Sequence, residues 1–147
     1  MKANGRLPEY LILSLSRKKI SLLRVSDSHS VEIVDAMFPL FYSEEYEYSK
    51  PSLGSSFGFT SKGFEKDKSV LMEIRFMSFL RLADARLKGY LKSGIPMVLA
   101  GVKKELADFE TITHYRNSIA GGVAGNYSDY NRNDLVKKTE EIVRAMA

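Results

Sequence analysis

The stretch Ile95-Pro96-Met97-Val98-Leu99-Ala100-Gly101-Val102-Lys103-Lys104-Glu105-Leu106 restricts the fold more than any other part of the chain. An apolar run of strand length stops at a glycine and passes at once into a charged, helix-compatible segment. Strands covered on both faces by helices read as continuous apolar runs rather than alternating ones. Pro96 fits only near the start of such a strand, where its missing N–H does no harm. Gly101 permits a tight strand-to-helix turn, with the helix amides facing out at the carboxyl end of the strand. Open α/β sheets place ligands in crevices of this kind. The plainer reading is a central strand that feeds a helix.

The segments around it set the architecture. Residues 10–16 and 20–26 read as two strands joined by the polar Arg17-Lys18-Lys19, a hairpin. Asp27-Ser28-His29-Ser30 is a second turn, and Val31-Glu32-Ile33-Val34 a short third strand with alternating polarity. Residues 35–69 change character: Pro39, Pro51, Gly54, Gly58 and Gly63, with several serines, favour loop. Within them residues 41–48 are acidic and aromatic. A long helix is predicted over 67–92, capped by Asp67 or Ser69. Its apolar positions include Val70, Leu71, Ile74, Met77, Leu80, Leu82, Ala85 and Tyr90, with Phe76 and Phe79 widening the face.

Beyond the central strand, a short helix is predicted over 103–108 and a fifth strand or extended segment over 111–115. Residues 117–129 read as a loop, in which Gly121-Gly122 and Gly125-Asn126 call for positive φ at several positions. The last helix runs from 131 to 146, with Leu135, Thr139, Ile142, Val143 and Met146 along one face. The order β-β-β-α-β-α-β-α predicts an α/β, ribonuclease-H-like three-layer domain with a mixed sheet of about five strands.

Composition narrows the chemistry. The 147 residues suit one domain, and 44% apolar with 27% charged content is that of a globular protein. No cysteine occurs, so there is no disulfide, thiolate metal site or thiol nucleophile. No window approaches the length of a membrane-spanning run. Met1-Lys2-Ala3-Asn4-Gly5 lacks the apolar core of a signal peptide, and a cytoplasmic location is the expectation. The formal net charge of +4 is compatible with nucleic acid without requiring it.

A ribonuclease-H-like order invites two-metal nuclease chemistry, which needs carboxylates clustered on the sheet. The first two strands contain no Asp or Glu, and Glu32 stands alone on the third. Residues 121–126 lack the Gly-Lys-Ser/Thr ending of a phosphate loop. No cofactor or metal site is therefore expected. Of the two histidines, His29 lies in a polar turn, and His114 beside Tyr115 could serve as a general base. Basic residues (Arg17, Lys18, Lys19, Lys62, Lys66, Lys68, Arg75, Arg81, Arg86, Lys88) are spread over a hairpin tip, a loop and one helix. Phe57, Phe59 and Phe64 interleave with Lys62 and Lys66, an arrangement that lets bases stack while ammonium groups meet phosphates.

Residues 10–24, Pro96-Met97-Val98-Leu99-Ala100-Gly101-Val102, Phe109, Tyr115, Gly125-Asn126 and Leu135 occur in an order that resembles one family. It is the central domain of the bacterial relatives of archaeal/eukaryotic class-I peptide-chain release factors, over most of residues 8–146. The resemblance implies a ribonuclease-H-like central domain, a translational context and the ribosome or tRNA as partner. In the family this domain lies between two others, and neither fits within 147 residues. The chain is then a stand-alone reduced member, a single domain over 1–147, or one domain of a longer architecture.

True release factors carry a Gly-Gly-Gln tripeptide in a loop just before the long helix, and its glutamine helps water attack the peptidyl-tRNA ester. By order that loop corresponds to residues 55–64, which contain no such tripeptide; the chain has no glutamine at all. The resemblance, with this departure, implies a non-catalytic domain that contacts ribosome, rRNA or tRNA through Phe57, Phe59, Lys62, Gly63, Phe64 and Lys66. Residues 49–66 are expected to project from the body as a loop. Two other readings stay open: a hydrolase acting on RNA or an ester through His114 and a nearby carboxylate, and a protein-interaction domain using residues 41–48.

Overall fold

A computed structural model describes residues 7–42, 61–92, 94–127 and 131–146, with the backbone alone for 61–66. The chain runs β1 (Tyr10–Ser14), β2 (Lys19–Ser26), β3 (His29–Glu32), β4 (Leu40–Phe41), α1 (Ser61–Arg86), β5 (Met97–Gly101), α2 (Lys103–Ile112), a 3-10 turn (Arg116–Ser118), β6 (Ile119–Ala124) and α3 (Arg132–Met146). The sheet order is β3-β2-β1-β5-β6, with β4 adding a two-residue ladder to β2. β1, β2 and β3 pair antiparallel, and β5 pairs parallel with both β1 and β6. This is an α/β domain around a mixed sheet, consistent with the ribonuclease-H-like topology that the segment order predicts.

The two apolar runs at the centre divide their side chains between two cores, because successive strand residues point to opposite faces. Leu11, Leu13, Leu22, Met97 and Leu99 enter a core roofed by Phe76, Phe79, Leu80, Ala83 and Leu87 of α1 and Phe109 of α2. Tyr10, Ile12, Leu23, Val25, Val98 and Ala100 enter the other, closed by Leu135, Val136 and Val143 of α3. There the Tyr10 hydroxyl meets Thr139 Oγ1 at 2.8 Å. Burial on both faces is why residues 10–13 and 97–101 are fully buried.

The β2–β3 hairpin is tight. Asp27 and Ser28 both have positive φ (53° and 68°), the twist that a two-residue hairpin turn needs. His29 therefore opens β3 rather than sitting within the turn, and its Nδ1 lies 2.9 Å from the Asp27 carbonyl oxygen.

Three features of α1 differ from the expectation. α1 begins at Ser61, so 61–66 are helical and not loop; residues 49–60 lie outside the described residues. The helix gives way after Arg86 to turns in which the Leu87 N–H donates to Asp84 O and the Leu91 N–H to Leu87 O. Its apolar residues also face both ways: Phe76, Phe79, Leu80, Ala83 and Leu87 are buried, while Val70, Leu71, Met72 and Ile74 are exposed. The widened face at Phe76 and Phe79 is thus the true inner face.

The largest correction concerns the fifth strand of the main sheet. Residues 111–112 belong to α2, and the strand is β6, inside the stretch expected as loop. Gly121 and Gly122 weaken the strand signal, yet close packing requires them. A Cβ on Gly121 would stand 2.9 Å from Ile142 Cγ2 of α3, and one on Gly122 3.3 Å from Leu106 Cδ1 of α2. Glycine here lets a helix approach each side of the strand. Neither has positive φ; in the 121–126 run only Gly125 does, at 153°.

An ionic brace holds α1 where it leaves the body. The Arg17 guanidinium lies 4.2 Å from the Phe76 ring centre, 3.0 Å from Glu73 and 3.6 Å from Glu105. Lys104 joins it through Glu73 at 3.5 Å and Asp108 at 3.0 Å. Burial raises the Glu105 carboxyl above its ordinary 4.5, with Arg17 opposing the rise. The folded state thus holds that proton more tightly than the unfolded chain. Its contribution favours folding at low pH and is lost as pH rises from about 4.5 through the raised value. Glu105→Gln removes the titration. Thermal melting across about pH 4 to 7 should show the variant gaining stability relative to the parent as pH rises.

Candidate functional site

Of the sequence-predicted contact residues, Phe57 and Phe59 lie outside the described residues. Lys62, Gly63, Phe64 and Lys66 lie in the first turns of α1, where the backbone is helical. The helix that carries them then runs through residues 67–74 with every position exposed. The first fully buried residue after them is Phe76. The first half of α1 is therefore an outlying arm, and Glu73 is where the brace takes hold of it. Its apolar side chains Val70, Met72 and Ile74 are each more than half exposed.

A second feature lies at the carboxyl end of β1. There a cleft of about 290 Å³ opens between the β2–β3 side of the sheet and the start of α3. Ser14, Ser21, Lys19, Glu32, Asn126 and Arg132 line it. Ser14 and Ser21 face each other across the β1–β2 ladder, and neither supplies the carboxylate that two-metal chemistry needs. Glu32 stands between the two cations, 3.9 Å from Lys19 and 3.6 Å from Arg132, and offsets one of the two positive charges. Among the described residues no three carboxylate or imidazole groups gather as a metal site.

The third feature joins α1 to the turn after α2. Asp84 is buried. It accepts hydrogen bonds from the Thr113 hydroxyl at 2.5 Å and from the His114 backbone N–H at 3.0 Å. Its Oδ2 also lies 2.8 Å from His114 Nδ1. The His114 side chain is 85% exposed, against 3% for Asp84. His114 thus has the carboxylate partner that a general base would require. The sequence carries one signal for this partner: Asp84 is an acid four residues beyond Leu80, on the inner face of α1, and a carboxylate there must be paired.

The acidic, aromatic segment is described only at its start. Phe41 lies in β4 with the Lys19 ammonium 5.7 Å from its ring centre. Tyr42 packs edge-on to Phe79 at 5.5 Å. These two aromatics anchor the strand to the body.

A family model described as Bacterial archaeo-eukaryotic release factor family 3 matches residues 9–147, from the start of β1 through α3. The chain belongs to this family. No curated protein matches the sequence. Membership in the bacterial archaeo-eukaryotic release factor family 3 covers both cores and all three features above. It gives the domain a release-factor relationship and a translational context. Among the described residues no helix is long and apolar enough to cross a membrane.

Proposed function

We propose that this member of the family contacts the ribosome or tRNA through the beginning of α1 and the segment before it, and does not hydrolyse peptidyl-tRNA. The observation that carries the reading is the outlying first half of α1. Residues 67–74 are exposed at every position, and Lys62, Gly63, Phe64 and Lys66 precede them in the first turns of the helix. By chain order this is the place where release factors carry the Gly-Gly-Gln loop. A helical arm can enter an RNA cleft that the body cannot. Phe57, Phe59 and Phe64 supply stacking faces and Lys62 and Lys66 supply phosphate contacts. No glutamine exists in the chain to orient the attacking water.

Two measurements test this. Peptide release from stalled ribosome complexes is expected at background. Co-sedimentation with ribosomes across a salt series is expected to weaken in Lys62→Ala/Lys66→Ala, with a salt slope shallower by about 1.5, since each phosphate contact contributes about 0.7–0.9. Release well above background removes the non-catalytic reading. Binding unchanged in the double variant removes the arm from the contact.

A further inference from the structure

We infer that the opposite end of α1 forms a second RNA contact, in which Asp84 fixes His114 as a reader of the ribose hydroxyl amid Arg81, Lys88 and Arg116. The inference rests on the RNA-contact reading above and adds a separate surface to it.

The carboxylate does more than fasten the chain. Asp84 holds the turn after α2 against α1 through the Thr113 hydroxyl and the His114 N–H. Those two bonds suffice for a structural clamp. The imidazole is a third partner, and its own side chain remains 85% exposed. A carboxylate can only accept, so His114 Nδ1 carries the proton at the 2.8 Å contact. In the neutral ring Nε2 is then a bare acceptor, held in a fixed orientation.

Cations without a carboxylate partner stand on both segments that the Asp84 clamp joins, α1 with the turns after it and the turn after α2. Arg81, one turn before Asp84, and Lys88, four residues after it, are exposed and have no carboxylate partner among the described residues. Arg116, two residues beyond His114, donates to the Glu110 backbone carbonyl, which anchors the guanidinium without neutralising it.

The partner follows from this combination. Three uncompensated cations favour a string of phosphates. A bare imidazole nitrogen needs a donor, which a phosphodiester cannot supply and a ribose 2′-hydroxyl can. A backbone that carries both is RNA and not DNA.

The test is fluorescence anisotropy with a labelled single-stranded oligouridine and its 2′-deoxy counterpart, titrated with the full chain across a salt series. Arg81→Ala/Lys88→Ala/Arg116→Ala is expected to flatten the salt slope by about 2, at about 0.7 per phosphate contact on a single strand. His114→Ala is expected to weaken RNA binding about 3–10-fold, the loss of one hydrogen bond, and to leave the deoxy probe unchanged. Lys62→Ala/Lys66→Ala is run alongside. A loss confined to that variant overturns the inference and leaves the arm reading intact. A loss confined to the Arg81, Lys88, Arg116 and His114 variants supports the inference and removes the arm. Equal loss of both probes in His114→Ala overturns the hydroxyl assignment, and binding of neither probe by the parent overturns the second contact altogether.

Discussion

Leu99→Ala is expected to lower the unfolding free energy by about 3–4 kcal/mol, with the slope of the urea transition unchanged. Leu99 is fully buried in β5, between the parallel ladders to β1 and β6. Its side chain enters the core beneath α1 and α2. Strands on both sides fix the backbone, so the void cannot collapse, and the cavity cost adds to the lost transfer free energy. Ile74→Ala is the control: an apolar residue of α1 that is 56% exposed, expected to change stability by less than about 0.5 kcal/mol. If Ile74→Ala costs as much as Leu99→Ala, the first half of α1 is buried in solution and the arm does not exist.

Asp84→Ala is expected to cost about 3 kcal/mol, although it removes a buried charge. Besides the exposed imidazole, two donors depend on that carboxylate. The Thr113 hydroxyl lies in a buried residue, and the His114 N–H is partly buried. Alanine leaves both without an acceptor in a space too confined to restore their hydration. Each stranded donor costs about 1–3 kcal/mol. His114→Ala keeps both backbone and hydroxyl bonds to Asp84 and removes an exposed ring, so its cost should stay below about 1 kcal/mol. Urea denaturation of the two variants separates the clamp from the imidazole. A cost for His114→Ala equal to that of Asp84→Ala would make the ring part of the clamp, and would weaken its assignment to a ligand.

The core was legible because its signal is continuous. Residues 10–13 and 97–100 are apolar without interruption, the pattern of a strand covered on both faces. β6 was not legible because the feature that makes it fit is the absence of side chains. Gly121 and Gly122 are selected by Ile142 and Leu106, which are distant in sequence. Local reading sees two glycines and assigns a loop. The start of α1 was misplaced for a related reason: Gly58, Gly63 and the serines around them dilute helix propensity, and the exposed face of the arm has no periodic apolar stripe to reveal it. Lys62, Gly63, Phe64 and Lys66 lie in the first turns of α1, a setting that the pattern of rings beside lysines does not reveal. The partnership of Asp84 with His114 needed the fold, since the two residues are separated by β5 and α2.

α1 is one uninterrupted helix from Ser61 to Arg86. At 1.5 Å per residue, the stretch from Lys62 to Asp84 is roughly 33 Å long. A rod of that length is a gauge. The two contacts proposed above for its ends reinforce each other only on a surface that offers two footholds at the same spacing, because a helix does not stretch to meet others. Selectivity for one RNA surface over another can then come from distance, with neither grip reading a base.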